Sequence, residues 1–576
     1  MNILEIEHLH AVFPGNTVLH DINLAIQTGR KTAIVGESGS GKTVLAQGVM
    51  RLNPDVSLQG SMRFQGEDLL VLPEKSLRKL RGRDIGMVFQ EPMTALNPVM
   101  PVGRQIAEVL TLHLGLDKRA AWQKAIDLLR ETGIQDAEEK VFAYPFQLSG
   151  GQRQRVMIAM AVAAEPKLLI ADEPTTALDV AVQAQILDLL DRLQRERNMT
   201  ILYITHDLNL VRRFADDVAV MRYGKIVEQG AVADIFANPQ HEYTRLLLDA
   251  VPQREVVCLS ENAQTVLQAE EIKVAMSRKT GWFKKEQKTI LQPLSFDLKS
   301  GETLGVIGES GSGKTTLAKA LLHLMDASGK VTLNGKAWSP ESRREIQMVF
   351  QDPFGAFNPR MTVRDIVSEA LRVYEKKLSA AEVESKVREV LQAVGLEGEI
   401  LGRYPHEFSG GQRQRICIAR ALALNPEFIV CDEPVSALDV SIQAQIINLL
   451  KNLQKKYNLT YLFISHDLSV VEYISDTVGV MYLGNLVEYG ATEDIFRNPL
   501  HPYTKALFSA IPVPDPTVKM DRIVLEGSIP SPANPPAGCK FHTRCANCME
   551  KCKTEVPQQR EIEPGHYVVC HLYDEA

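Results

Sequence analysis

The sequence predicts an α/β fold present twice in one chain. Two tandem domains, each a mainly parallel sheet with crossover helices and an inserted helical subdomain, precede a small Cys-rich extension. Three observations carry this reading. The first is a long internal repeat, the feature that decides architecture before any other. GESGSGKT occurs at Gly36–Thr43 and Gly308–Thr315, SGGQRQR at Ser149–Arg155 and Ser409–Arg415, DEP at Asp172–Pro174 and Asp432–Pro434, and HDL at His206–Leu208 and His466–Leu468. The last three pairs share one offset of 260 residues, so the later part of each copy aligns without gaps. The second is the alternation of short β-branched runs (KTAIVGE, KLLIADEP, TILYITHD) with amphipathic helical stretches such as AWQKAIDLLRETGI. The third is the change of composition near the end, where a Pro-rich stretch (IPSPANPPAG) gives way to cysteines.

These signals divide the chain into a first domain over residues 1–250, a polar linker over 251–270 (QREVVCLSENAQ), a second domain over 271–515 and the Cys-rich region over 516–576. The helical insertions fall at Val102–Gln147 and Val363–Glu407, between the motifs of each copy. Composition is that of ordinary globular protein, 45% apolar and 23% charged in 576 residues. Lys+Arg 64 against Asp+Glu 71 leaves a net charge of −7, which argues against holding a nucleic acid backbone on a concentrated cationic face. Glu5, Glu7 and His8 interrupt the apolar start, so it does not read as a signal peptide, and no run of 18 apolar residues marks a membrane span. The expectation is a cytosolic chain, soluble by itself.

The chemistry concentrates where strands end, the place α/β sheets put their sites. Gly36, Glu37, Ser38, Gly39, Ser40, Gly41, Lys42 and Thr43 fit G-x-x-x-x-G-K-[ST] after a strand (Lys31–Val35) and before a helix (Val44–Leu52). Glycines let amides close around β- and γ-phosphates, the lysine adds a point charge, and the threonine hydroxyl suits Mg²⁺. Gly308, Glu309, Ser310, Gly311, Ser312, Gly313, Lys314 and Thr315 repeat the pattern. Asp172 and Asp432 end the LLIAD and FIVCD strands, where each can hold Mg²⁺ through water. Glu173 and Glu433 beside them can polarise an attacking water. Ser149, Gly150 and Gly151, and again Ser409, Gly410 and Gly411, cap a helix whose N-terminus suits an anion. Because each phosphate chain already has its own loop, the anion at this second site is best supplied by the nucleotide of a partner domain, and the chain contains one.

With Gln90 after MVF, LSGGQ, DEP, the TALD loop and His206 in this order, the sequence resembles the ATP-binding domain of ABC transporters. The repeat resembles it again through Gln351, FSGGQ, DEP, SALD and His466, so the likeness covers about residues 1–515. The resemblance implies two domains docked head to tail around two ATP molecules with Mg²⁺. Lys42, Thr43, Gln90, Asp172, Glu173 and His206 would then act with Ser409, Gly410 and Gly411. Lys314, Thr315, Gln351, Asp432, Glu433 and His466 would act with Ser149, Gly150 and Gly151. It places Asp179 and Asp439 at the family's D-loop aspartate, has the Gln sense Mg²⁺ and water, and has the His contact the γ-phosphate. Both sites keep every motif residue, so two hydrolytic sites are expected. Adenine would stack on Phe13 in the first domain, a residue that also reads as a packing aromatic; the second has Met276 there, with Trp282 and Phe283 in an insertion.

A narrower likeness follows each core. ADIFANPQHEYTRLLL and EDIFRNPLHPYTKALF, with EPMTALNP and DPFGAFNP after each Gln, resemble the peptide/nickel importer ATPases in their fused tandem form. That family implies two membrane-spanning permeases contacted near Gln90 and Gln351, an extracytoplasmic solute-binding protein, and a peripheral position on the cytoplasmic face of the inner membrane. The expected cargo is di- or oligopeptides, with glutathione, nickel or metal chelates and peptide antibiotics left open. The tail GCKFHTRCANCMEKC…HYVVCHL resembles that family's C-terminal region, in which Cys539, Cys545, Cys552 and Cys570 match cysteines that hold a [4Fe–4S] cluster in some members. Cys548 is additional. By residue type alone these thiols suit an iron–sulfur cluster, zinc or free cysteines. The alternative function is a soluble twin-cassette ATPase acting on ribosomes or DNA. The short linker and the lack of a long cationic run weigh against it.

Overall fold

The computed structural model describes residues 1–176, 178–249, 264–279, 285–353, 355–436, 438–510, 523, 525, 530 and 534–574. Contacts separate two compact units, one built on Met1–Ala250 and the other on Val251–Leu438, Ile442–Ile511 and Asp521–Ala576.

In the first unit, a four-stranded antiparallel sheet runs in the order Asn16–Gln27, Asn2–Phe13, Ser57–Phe64, Glu67–Asp68. A six-stranded sheet runs Lys225–Ala231, Asp217–Arg222, Lys31–Val35, Thr200–Thr205, Leu168–Asp172, Ile85–Val88, all parallel except the first pair. Its central strands KTAIV, LLIAD and TILYIT are buried nearly throughout, which is why they read as unbroken apolar runs rather than alternating ones. Two apolar layers cover the two faces. One joins Ile34, Ile170 and Leu202 to the antiparallel sheet and the helix Lys42–Val49. The other joins Val35, Ala171 and Tyr203 to the helices Val102–Leu114, Lys118–Glu131 and Gly150–Val162. The phosphate-loop helix starts at Lys42, two residues earlier than the sequence indicates, because Gly41 at φ 102 turns the chain directly into it.

The second unit repeats both sheets, with one addition. Its antiparallel sheet runs Lys285–Lys299, Thr265–Lys279, Ser328–Leu333, Lys336–Ala337. The stretch expected as linker up to residue 270 thus already belongs to a strand at Thr265. The larger sheet has eight strands, in the order Ile346–Val349, Phe428–Asp432, Thr460–Ile464, Thr303–Ile307, Thr477–Tyr482, Asn485–Ala491, His566–Val569, Gln559–Glu563. The last two form a hairpin of the Cys-rich tail, paired to the sheet through Glu488↔Val568 and Tyr489↔Tyr567. A buried His566 Nε2···Glu488 Oε1 contact of 2.9 Å fastens it. The Glu488 carboxylate also accepts the amides of Leu500 and His501 at 2.7 and 2.9 Å. Glu228, at the same place in the first unit, accepts the amides of Gln240 and His241, but there the sheet ends at Lys225–Ala231.

His501 caps the helix Pro502–Ser509, its Nδ1 accepting the Tyr503 amide at 3.0 Å. An acceptor nitrogen requires neutral imidazole, and burial pulls the ring's pKa down to about 4. The folded value lies below the unfolded one, so the stabilisation is complete above about pH 6.5 and is lost as pH falls towards 4. The second unit is expected to lose up to about 3 kcal/mol across that window. In calorimetry, His501→Asn, which keeps a capping oxygen but cannot titrate, should flatten the acid dependence of the second unit's transition. An unchanged acid slope in that variant would exclude His501 as its source.

Candidate nucleotide sites

Each phosphate loop is held from behind by its own sheet. In the first unit Gly36 sits at φ 152 with its Cα against the Met221 carbonyl, and the Gly224 amide donates to Ser40 O at 3.0 Å. The Lys42 ammonium donates to Gly36 O and Glu37 O at 2.7 and 2.9 Å. Burial lowers its pKa, while Glu173 and Asp172 nearby oppose the shift. Thr43 Oγ1 donates to Asp172 Oδ1 at 3.3 Å. The Asp172 carboxyl is pushed up to about 6, first by burial and then by the Glu173 charge, against the Thr43 hydrogen bond. This pair of hard oxygen donors beside an ammonium-lined loop fits Mg²⁺, which takes few protein ligands and completes its shell from phosphate and water.

Glu173 follows at φ 45, a left-handed backbone that a non-glycine residue adopts only when its surroundings impose it. Its amide donates to Ile204 O at 2.9 Å, which fixes the turn. Gln90 Nε2 and Thr176 Oγ1 donate to one carboxylate oxygen at 2.9 and 2.8 Å, and His206 Nδ1 lies 3.4 Å from the other. Burial would raise the Glu173 carboxyl, but His206, the Thr176 hydrogen bond and the Lys42 charge together make the net shift downward. Burial would likewise lower His206, and the Glu173 partner raises it overall. The carboxylate is therefore ionised at neutral pH and ready to accept a proton.

The second unit reproduces this arrangement. Lys314 donates to Gly308 O and Glu309 O at 2.7 and 3.1 Å, and Thr315 to Asp432 at 3.1 Å. Gln351 donates to Glu433 Oε2 at 2.7 Å and His466 Nδ1 lies 3.3 Å from the same oxygen. Glu433 has φ 47 and its amide donates to Ile464 O at 2.9 Å. Burial again raises Asp432, and His466 with the Lys314 charge together outweigh burial to lower Glu433.

Ser149 and Ser409 cap the helices Gly150–Val162 and Gly410–Leu422, each in a reciprocal box with the glutamine three residues on (Gln152, Gln412). Both serines are exposed, so each helix N-terminus opens to the unit's surface. Phe13 ends the strand Asn2–Phe13 half-buried, and Met276 is 56% exposed; Trp282 and Phe283 lie outside the described residues.

Sequence reasoning missed the support behind each loop. Tyr243 Oη accepts the Glu37 amide at 3.2 Å, and Tyr503 Oη the Glu309 amide at 2.8 Å. The recurrence of His-x-Tyr-Thr at His241 and His501, 260 residues apart, was the available signal.

The expected metal site in the tail finds no support among the described residues. All described cysteines are free. Cys539 and Cys545 pack against the second unit's main core, Cys552 is buried, and Cys570 packs with Leu500 and Val568. Burial, with the neighbouring thiols, raises Cys539 and Cys545 and brings Cys570 up to about 12. No group of three or more His, Cys, Asp or Glu able to hold a metal ion occurs among the described residues. Cys539, Cys545, Cys552 and Cys570 lie close enough to act on one another's thiols, and neither the [4Fe–4S] nor the zinc expectation is supported among the described residues.

Residues 19–176 and 291–436 match the ABC transporter family. The chain belongs to that family. Its residues 227–269 and 487–552 match the oligopeptide/dipeptide transporter C-terminal region, so this ABC protein carries that region after both cassettes. It is 49% identical over 501 residues to a peptidoglycan transport ATP-binding protein, YejF of Agrobacterium fabrum, covering 85% of this chain and 92% of that protein. To the uncharacterized ABC transporter ATP-binding protein YejF of Escherichia coli it is 48% identical, covering 88% and 99%. To the glutathione import ATP-binding protein GsiA of Pectobacterium atrosepticum it is 45% identical, covering 92% and 93%. The chain is thus an ABC ATPase and the ATP-binding subunit of a transporter. No helix among the described residues is long and apolar enough to cross a membrane. The alternative of a ribosome- or DNA-directed ATPase has no support among these relatives.

Proposed function

We propose that the chain is the ATP-hydrolysing motor of an importer for peptides or related small solutes, glutathione and peptidoglycan fragments among them. It would work at the cytoplasmic face of the inner membrane on two permease subunits, with a solute-binding protein outside. The observation that carries the motor reading is the same carboxylate arrangement in both units: Glu173 and Glu433 in strained backbone, each oriented by a glutamine and a histidine. The solute class rests on the oligopeptide/dipeptide region and on relatives named for glutathione import and peptidoglycan transport.

The residue roles follow from the chemistry. The loops Gly36–Thr43 and Gly308–Thr315 hold the phosphate chain through their amides and through Lys42 and Lys314. Thr43 with Asp172, and Thr315 with Asp432, hold Mg²⁺, which neutralises charge developing on the phosphates. Glu173 and Glu433 accept a proton from the attacking water, while Gln90, Gln351, His206 and His466 keep the carboxylates aimed. Ser149–Gly151 and Ser409–Gly411 bring exposed helix N-termini to the γ-phosphate bound by the other copy, in head-to-tail pairing of the two domains. Phe13 stacks on adenine in the first site.

A pull-down with the Glu173→Gln/Glu433→Gln protein and ATP, from gently solubilised native membranes, tests the partners. Recovery of two polytopic permeases in mass spectrometry is expected. Recovery of ribosomal proteins without a permease would overturn the transport reading.

A further inference from the structure

The two phosphate loops differ behind the glutamate that follows the first glycine. In the first unit Arg222, at the end of its strand, lies over the Tyr243 ring at 4.5 Å, and Tyr243 in turn accepts the Glu37 amide. No ion pair of Glu37 occurs among the described residues. The repeat has Tyr482 at the position of Arg222, so the second unit lacks that arginine. Its cation comes instead from the Cys-rich tail. Arg544 Nη1 and Nη2 donate to Glu309 Oε2 and Oε1 at 2.6 and 3.0 Å, with the two side chains only 3% and 2% exposed. The guanidinium lies over the Tyr482 ring at 6.0 Å. Phe541, three residues before it, seals the contact against Tyr482 at 5.2 Å, Tyr503 at 5.5 Å and His501 at 5.6 Å.

Glu309 is itself part of the loop. Its carbonyl accepts the Lys314 ammonium and its amide donates to Tyr503, so a grip on its side chain is a grip on the loop's first turn. A planar fork on a carboxylate fixes orientation as well as distance, which a point charge would not. The pair is also the kind that cannot lose one member cheaply, since the other is left charged and buried.

We propose that Arg544 is a positioning residue for the second nucleotide site: the docked tail sets the geometry of the loop Gly308–Thr315, so ATP binding there, and not at the first site, depends on the tail being in place. The inference rests on reading both loops as ATP sites. It makes the two sites unequal despite identical motifs, and the tail a built-in control on one of them.

The test measures ATP affinity of the full chain in two backgrounds: Lys42→Ala, which reports the second site, and Lys314→Ala, which reports the first. Arg544→Met should weaken ATP about tenfold or more in the Lys42→Ala background and by less than about twofold in the other. Glu309→Gln with Arg544→Met removes the stranded charge but also the fork, and should remain weak at the second site only. Restoration of affinity in that pair would mean the arginine merely compensates charge and would overturn the proposal. Equal weakening at both sites, or none at the second, would overturn it too. A Lys42→Ala parent that binds no ATP would overturn the second-site reading, and the proposal with it.

Discussion

Glu173→Gln combined with Glu433→Gln is expected to leave ATP binding intact and to lower steady-state phosphate release by about 10²- to 10⁴-fold. The amide has nearly the volume of the carboxylate and can occupy the same left-handed backbone, because the turn is held by main-chain bonds to Ile204 and Ile464 rather than by the side chain. What it loses is basicity, and with it the acceptor for the proton of the attacking water. Gln90 and Gln351, which now donate to the carboxylates, would face an amide that can be rotated to accept. Binding is read by equilibrium titration with ATP and turnover by phosphate release. Retention of most hydrolysis by the double variant would remove the assignment of these two carboxylates. The single variants should differ from the double, since one intact site remains in each.

Gly36→Ala and Gly308→Ala should each destroy one site and destabilise one unit. A β-carbon at Gly36 would stand 2.1 Å from Met221 O, and at Gly308 2.2 Å from Met481 O, both main-chain atoms of the strand behind the loop. Neither strand can yield without breaking the sheet, and the φ values of 152 and 147 already disfavour an L-residue. The cost should be about 3 kcal/mol or more, in the range of severe single substitutions, or roughly 6–12 °C in the melting of that unit. Gly39→Ala is the control. Its φ of 79 carries a conformational penalty of about 1 kcal/mol, but nothing lies within 4 Å of the added methyl. Calorimetry resolving the two units, with ATP titration, checks all three. A Gly36→Ala protein that melts and binds like the Gly39→Ala protein would show that the loop is not seated as described.

The residues that close over phosphate were readable because their chemistry is local. The strand Lys31–Val35, the glycines that follow and Lys42 lie within a dozen residues, and each has the residue type its position demands. Asp172 and Glu173 were readable for the same reason, at the end of an apolar run that announces a buried strand. The left-handed backbone of Glu173 was not, because nothing in DEP requires it; the bond from its amide to Ile204 O on the neighbouring strand imposes it. Met276 stands where the first copy has Phe13, and it is largely exposed in the described strand.

The tail shows the division most clearly. Its five cysteines are conspicuous in sequence and point towards a metal; the structure places Cys539 and Cys545 against the second unit's core and Cys570 beside Leu500 and Val568, and supports no metal site among the described residues. The tail residues that pair with buried carboxylates, Arg544 and His566, are inconspicuous single positions. They meet Glu309 and Glu488 across separations of 235 and 78 residues. The sequence by itself determined the two copies, their order and the residue types at each phosphate site, since short motifs carry their own backbone and donor requirements. Only the tertiary structure decided which cation stands behind each loop and where the tail docks. Burial pairs a charge with whatever partner the sheet brings alongside it, and that partner has no fixed distance along the chain.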